Sequence, residues 1–279
     1  ENVATIKEYT KKIAEEMHVV GLMNMQYAIE KGKVYVLEAN PRASRTVPLV
    51  SKVCNVRMVP IATDIITSEL TGRPSPVPAL KEQHIPYYGV KEAVFPFNMF
   101  PEVDPILGPE MRSTGEVLGL STYYGEAFFK AQEATQTLLP TSGTVLISVN
   151  RKDKDEVIEI AQLFEKAGFK ILATSGTYAI ITAAGVKAEK VKKLQEGRPN
   201  INDLITNGSI DLIINSPSGK ESAHDDSYLR KAAIKAKIPY VTTIAGARAT
   251  AKGILYVQAH GDSDVKSLQE LHSEIKDAE

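Results

Sequence analysis

Residues 21–42 read GLMNMQYAIEKGKVYVLEANPR. Apolar and polar side chains alternate through both halves, the period of a strand with one buried face. Met23, Met25, Tyr27 and Ile29 share one face, and Asn24, Gln26 and Ala28 the other. Lys31-Gly32-Lys33 supplies a turn. The second run ends at Asn40, because Pro41 cannot continue a central ladder. The pattern predicts an antiparallel hairpin. Its apolar faces must coincide, since a one-residue slip turns every side chain over. A two-residue loop would set Tyr27 against Val36 and Gln26 against Leu37, polar against apolar. A three-residue loop containing Gly32 pairs Tyr27 with Leu37 and Met25 with Ala39, so that register is expected. Its other face sets Gln26 opposite Glu38 and Asn24 opposite Asn40, just before Arg42 and Arg45.

Around the hairpin, helical spacing covers residues 4–17 and 56–71, the latter closed by Gly72. Tyr88 to Phe95 reads as a strand, MRSTGEVLG as a strand or hairpin, and YYGEAFFKAQEA as a helix. Leu139-Pro-Thr-Ser-Gly143 marks a change of rhythm. Beyond it, strands at 144–149, 170–174, 210–215 and 240–243 alternate with helices at 153–167, 176–184, 225–235 and 245–253. A brief strand falls near Val186, and residues 265–276 read as a terminal helix. Alternating strands and helices indicate βαβ units and a parallel sheet. Two domains follow, 1–139 and 140–279.

The 279 residues carry a net charge of −1, split as −2 and +1 between those halves. A nucleic-acid polymer would call for a basic excess. One cysteine, Cys54, excludes an internal disulfide framework and a multi-Cys zinc site. No apolar run approaches the ~20 residues of a membrane span, and the first residues lack a signal-peptide core. A cytoplasmic location is expected. The chain opens on Glu1 and runs almost at once into a helix, which reads as a cut rather than a natural start.

Two groups of residues can carry chemistry. An acid–amide pair two apart on a strand points both oxygens one way, as at Glu38 and Asn40. Magnesium takes such oxygens together with phosphates, and an adjacent Arg suits a phosphate. The alternative is an exposed polar sheet face ending in a loop. In the second half, the strand ends Ser148-Val-Asn150, Thr174-Ser-Gly-Thr177, Asn215-Ser-Pro-Ser-Gly219 and Thr242-Thr243 are small, hydroxylated or amidic. Open α/β sheets bind ligands beyond the carboxyl ends of their strands. A helix opening at Thr174–Thr177 suits a phosphate, with Lys154 and Lys193 adding charge. Caps and turns alone would also use these residue types.

The motif E-A-N-P-R at 38–42, with RTVPLVSK at 45–52, resembles the last segment of the ATP-grasp domain in the carbamoyl phosphate synthetase large-chain family. YYGVKEAVFPFNMFPEVDPILGPEMRSTGEVLG and EGRPNI are similar to the same family. The resemblance implies an α/β chain: the C-terminal part of an ATP-grasp domain, with antiparallel hairpins, then a Rossmann-like, methylglyoxal-synthase-like domain. It implies Gln26, Glu38 and Asn40 as ligands of two Mg2+ or Mn2+ ions bridging ATP phosphates, with K+ as a further ion. Asn40 and Arg42 become catalytic, Arg42 touching the transferring phosphoryl group or the product. The implied reaction is carbamate plus ATP giving carbamoyl phosphate plus ADP, for arginine and pyrimidine synthesis, with a glutaminase small chain as partner. Ser148, Lys154, Thr174, Thr177, Lys193, Asn215 and Asp225 would line a site for a UMP- or IMP-type effector. Glu92 and Thr242 would contact an amino-acid effector such as ornithine, and the second domain would make homo-oligomers. Pro217 departs from a hydroxyl residue found in some relatives, which bears on the effector's identity. The piece alone is expected to synthesise no carbamoyl phosphate.

Two rival readings remain. A methylglyoxal-synthase-like lyase would need a carboxylate in a G-D-x-Q-like run, where residues 216–222 read SPSGKES. A stand-alone effector-binding or oligomerising module would need no active site.

Overall fold

The computed structural model describes residues 1–77, 80–99, 110–216, 223–261 and 265–277. They form two compact units: Glu1–Pro86 with Lys266–Glu279, and Tyr87–Val265. Among the described residues no helix is long and apolar enough to cross a membrane.

The first unit runs α1 (Asn2–Glu16), β1 (Asn24–Glu30), β2 (Lys33–Asn40), α2 (Thr46–Cys54), α3 (Met58–Thr71) and β3 (Gln83–His84). The hairpin β1–β2 forms, but its loop has two residues, Lys31 and Gly32, closed by the pair Glu30 and Lys33. Both loop residues have positive φ, 50° and 78°. That is the two-residue turn whose twist matches the flanking strands. Tyr27 therefore pairs with Val36, not with Leu37. The ladder then shifts by one residue between Gln26 and Tyr27, leaving Leu37 as a bulge and restoring Gln26–Glu38, Met25–Ala39 and Asn24–Asn40. Turn geometry wins at one end and face matching at the other, and the bulge absorbs the mismatch. The Tyr27 hydroxyl lies 2.6 Å from Thr10 Oγ1, joining the hairpin to α1.

The second unit begins with β4 (Tyr88–Val94) and β5 (Gly115–Ser121), an antiparallel pair, followed by α4 (Tyr124–Ala134). Next come β6 (Thr144–Ser148), α5 (Val157–Lys166), β7 (Lys170–Thr174), α6 (Ser175–Ala183), β8 (Glu189–Val191), α7 (Ile201–Thr206), β9 (Leu212–Asn215), α8 (Ala223–Lys235), β10 (Tyr240–Val241) and α9 (Ile244–His260). Their strands form a parallel sheet in the order β10-β9-β6-β7-β8. Both faces are buried. Val145, Ile147, Ile171, Leu212 and Ile214 pack in a cluster that includes residues of α5, α6 and α9. Leu146, Leu172 and Ile213 pack with residues of α7 and α8. Burial on both faces explains the near-continuous apolar strands.

The chain then returns to the first unit through α10 (Leu268–Ser273) and β11 (Lys276–Asp277), where the sequence pattern predicts one helix over 265–276. The helix expected at 245–253 continues through Gly253 to His260. By packing, the two compact units part at Pro86, so β4, β5 and α4 lie in the same unit as the parallel sheet. The reason is α4, which lies against both β4–β5 and α9. A Cβ on Gly253 would sit 2.6 Å from the Gly125 carbonyl oxygen, and one on Gly125 2.9 Å from the Gly253 nitrogen. The two helices thus cross backbone to backbone. Gly253 is a contact residue, not a helix stop.

Beside this crossing, Glu126 is buried at 5% exposure. Ser121 Oγ donates to its Oε2, and Lys130 Nζ lies 2.8 Å from its Oε1. Burial pushes the carboxyl up, but hydrogen bonds from Lys130, Ser121 and Tyr256, with the Lys130 charge, leave it below the ordinary range.

Gly253→Ala should lose roughly 1–3 kcal/mol by overpacking, against at most ~1 kcal/mol gained in helix propensity. A urea midpoint equal to or above wild type would show that α4 and α9 separate freely. Glu126→Gln should cost roughly 1–3 kcal/mol at neutral pH. A depressed carboxyl contributes stability above its unfolded value, about 4.3, and loses it as pH falls through the folded one. The difference between wild type and E126Q should therefore close on acidification, and a gap that stays constant to pH 3 would contradict the network.

Candidate functional site

Two places gather polar side chains. At the open end of β1–β2, Gln26 faces Glu38 across the ladder, and Asn24 faces Asn40. Gln26 and Glu38 are exposed and Asn40 is half-buried. Asn40 Nδ2 donates to Glu38 Oε1 over 2.9 Å. Asn24 Nδ2 donates to Ser44 Oγ at 3.4 Å, tying the loop after Pro41 to β1. Arg42 N donates to Asn40 O, and its Nη1 to Ala43 O at 3.0 Å, so the guanidinium lies along the loop. α2 starts at Thr46, within four residues of Arg42.

Among the described residues no group of three His, Cys, Asp or Glu side chains gathers. A cation at the hairpin would therefore rest on one carboxylate and the amide oxygens of Gln26 and Asn40. That hard-oxygen set fits Mg2+ or Mn2+ sharing its shell with phosphates, and not Zn2+.

The second place is the carboxyl end of the parallel sheet. Ser148 and Asn215 pair across β6 and β9, at the point where the strand order reverses. Thr174 Oγ1 donates to Ser148 Oγ at 3.0 Å, and Val149 N to Thr177 Oγ1 at 3.2 Å. Because Thr174 spends its hydroxyl on Ser148, α6 starts without a side-chain cap. Its first amides keep their capacity for an anion. Lys154 adds a cation there: its Nζ is 2.6 Å from where a Cβ on Gly176 would stand. A turn capped by Asn150, whose Oδ1 accepts from Lys152 N and Asp153 N, leads the chain to Lys154. Asn215 is 2% exposed and donates from Nδ2 to the Tyr240 hydroxyl over 2.7 Å.

The structure brings Ser148, Lys154, Thr174, Thr177 and Asn215 to this one end. Lys193 follows β8 at one edge of the sheet, and Thr242 follows β10 at the other; both are exposed. Pro217 and the side chain of Asp225 lie outside the described residues. Glu92 sits half-buried on β4, which is not a strand of the parallel sheet. Burial pushes its carboxyl up, against hydrogen bonds from Ala93 N and Gln132. Among the described residues no hydrogen bond joins Glu92 to Thr242. Sequence reasoning missed Tyr240 and Glu126. Both are ordinary residues until the fold sets Asn215 and Tyr256 beside them.

Residues 1–70 match the family model described as "Carbamoyl-phosphate synthase L chain, ATP binding domain". Residues 156–242 match the model described as "MGS-like domain". The chain is thus a mixed α/β protein that joins part of an ATP-binding domain to an MGS-like domain. It is 47% identical to the carbamoyl phosphate synthase large chain of Archaeoglobus fulgidus, covering 98% of this chain and 25% of that one. It is 44% identical to the protein of Aquifex aeolicus named "Carbamoyl phosphate synthase large chain, C-terminal section", covering 98% of this chain and 54% of that one. The corresponding C-terminal section of Methanocaldococcus jannaschii is also 44% identical, over 99% of this chain and 46% of that one. The chain belongs to the carbamoyl phosphate synthase large-chain family, and it spans about a quarter of the whole large chains that it matches.

Proposed function

We propose that this chain contributes to the carbamate-phosphorylating site of a carbamoyl phosphate synthase large chain, and carries the domain that senses effectors for it. The observation that supports this best is the hairpin end: Gln26 opposite Glu38, Asn40 bonded to Glu38, and Arg42 two residues on. It falls within the residues that match the ATP-binding family model.

In this reading Gln26, Glu38 and Asn40 hold Mg2+ or Mn2+, which neutralises phosphate charge on ATP. Asn40 keeps the Glu38 carboxylate oriented through its Nδ2 bond. Arg42 offers guanidinium donors to the phosphoryl group as it passes to the carbamate oxygen, leaving ADP. Positioning and charge neutralisation carry such transfers. A glutaminase small chain supplies nitrogen. Residues 1–139 belong to the ATP-grasp part and 140–279 to the MGS-like part.

At the second site, the Ser148–Thr174 pair, the uncapped start of α6 and Lys154 take the phosphate of a UMP- or IMP-type nucleotide, with Lys193 at the rim. Glu92, whose carboxyl burial pushes up, and Thr242 receive an amino acid such as ornithine. Each effector would act through differential affinity for two states.

Calorimetry tests the second site. UMP or IMP should release or absorb heat with the native chain, and Lys154→Ala should weaken binding by roughly 10-fold, the scale of one charged hydrogen bond. Absence of heat with every nucleotide tried would sink the effector reading. In a whole large chain carrying this segment, Glu38→Gln should lower carbamoyl phosphate formation by 10-fold or more, with partial recovery at raised Mn2+. Unchanged turnover would remove Glu38 from the site.

A further inference from the structure

Lys154 owes its place to a short, charged turn. Residues 151–156 read RKDKDE, with three cations in four positions. Arg151 and Lys152 are exposed, whereas Lys154 is half-buried. Its Nζ lies 2.6 Å from where a Cβ on Gly176 would stand, at the start of α6. A lysine stem is flexible, so where its ammonium group settles depends on where its Cα is held.

The hold is Asn150. Its Oδ1 accepts from Lys152 N at 2.7 Å and from Asp153 N at 3.2 Å. Its Nδ2 donates to Asp153 Oδ2 at 2.7 Å. Three bonds thus fix the side chain against the turn Arg151–Asp153, and Lys154 follows with helical backbone angles, φ −68° and ψ −29°. In so tight a turn a slip of one residue swings each side chain by about 120°. It would put Asp153 or Asp155 where Lys154 stands, a carboxylate in place of a cation.

Asn150 is itself anchored on two sides. Val149 N donates to Thr177 Oγ1 at 3.2 Å, and Asn150 N donates to Ser216 Oγ at 3.0 Å. Thr177 is 1% exposed and Ser216 4%. Thr177 belongs to α6, which continues from β7, and Ser216 follows β9. β7 and β9 are the two neighbours of β6 in the sheet. The start of the turn is therefore registered against both of them, and all of these residues lie in the second unit.

We propose that Asn150 is the positioning residue of the anion site: through the turn 151–153 it delivers Lys154 to the first amides of α6. It acts through Lys154 and not on the ligand. The nature of that ligand rests on the effector reading, whereas the placement of Lys154 does not.

The test uses the full chain, titrated by calorimetry with UMP and separately with IMP. Asn150→Ala should weaken binding by roughly five- to tenfold, the scale of one charged hydrogen bond. In a Lys154→Ala background the same change should cost less than twofold, because no cation is left to place. Asn150→Ser keeps a cap oxygen and should recover much of the affinity. Glycine costs little at a helix start, so Asn150→Gly repeats the removal if the alanine variant does not fold. Native affinity in the alanine or glycine variant, equal losses in both backgrounds, or a serine variant as weak as alanine each overturn the proposal. A crystal structure of the ligand-free alanine or glycine variant gives a readout without nucleotide. Lys154 Nζ should no longer lie at Gly176, and finding it in its native place overturns the proposal. If neither nucleotide gives heat with the native chain, the effector reading fails, and the crystal structure alone decides the role of Asn150.

Discussion

Strand β6 has no water on either side: Val145, Leu146 and Ile147 are all fully buried. A parallel strand in that position needs helices above and below it, and most of the second unit follows from meeting that need. α5 and α9 cover one face, α7 and α8 the other. α9 is long enough to present a second side to α4, and α4 brings β4–β5 with it. The antiparallel pair that precedes the sheet in sequence is thereby bound to it in space, through a helix crossing that only glycine permits on both partners.

The same buried centre fixes the polar end of the sheet. β6 and β9 emerge side by side with Ser148 and Asn215 in register. Asn215, almost fully buried, and the bonded hydroxyls of Ser148 and Thr174 stand on that buried centre. The two polar places are complementary in sign. The hairpin end presents oxygens, which favour cations. The start of α6 presents amide hydrogens and Lys154, which favour anions.

Much of this was legible in residues 21–42 and in the alternation beyond residue 143. The pairs Gln26–Glu38 and Asn24–Asn40, and the parallel sheet, follow from pattern alone. The hairpin loop did not. Face matching argued for three loop residues, while the positive φ values available to Lys31-Gly32 favour two, and a pattern cannot reveal that a bulge satisfies both. Gly253 misled because a glycine that ends a helix and one that lets two helices touch are the same letter. The spacing over residues 265–276 predicts one helix, but only six residues form it, and the strand that follows owes its form to β3 rather than to itself.

The bulge at Leu37 splits the hairpin into two phases of one ladder. On the loop side, odd-numbered residues of β1 face even-numbered residues of β2; past Leu37, even faces even. Loop length and site geometry are thus independent variables. A lineage could lengthen or replace the Lys31-Gly32 turn without disturbing the Glu38–Asn40 pair. Removing the single exposed Leu37 would close the bulge into a regular ladder in which Gln26 still faces Glu38 and Asn24 still faces Asn40.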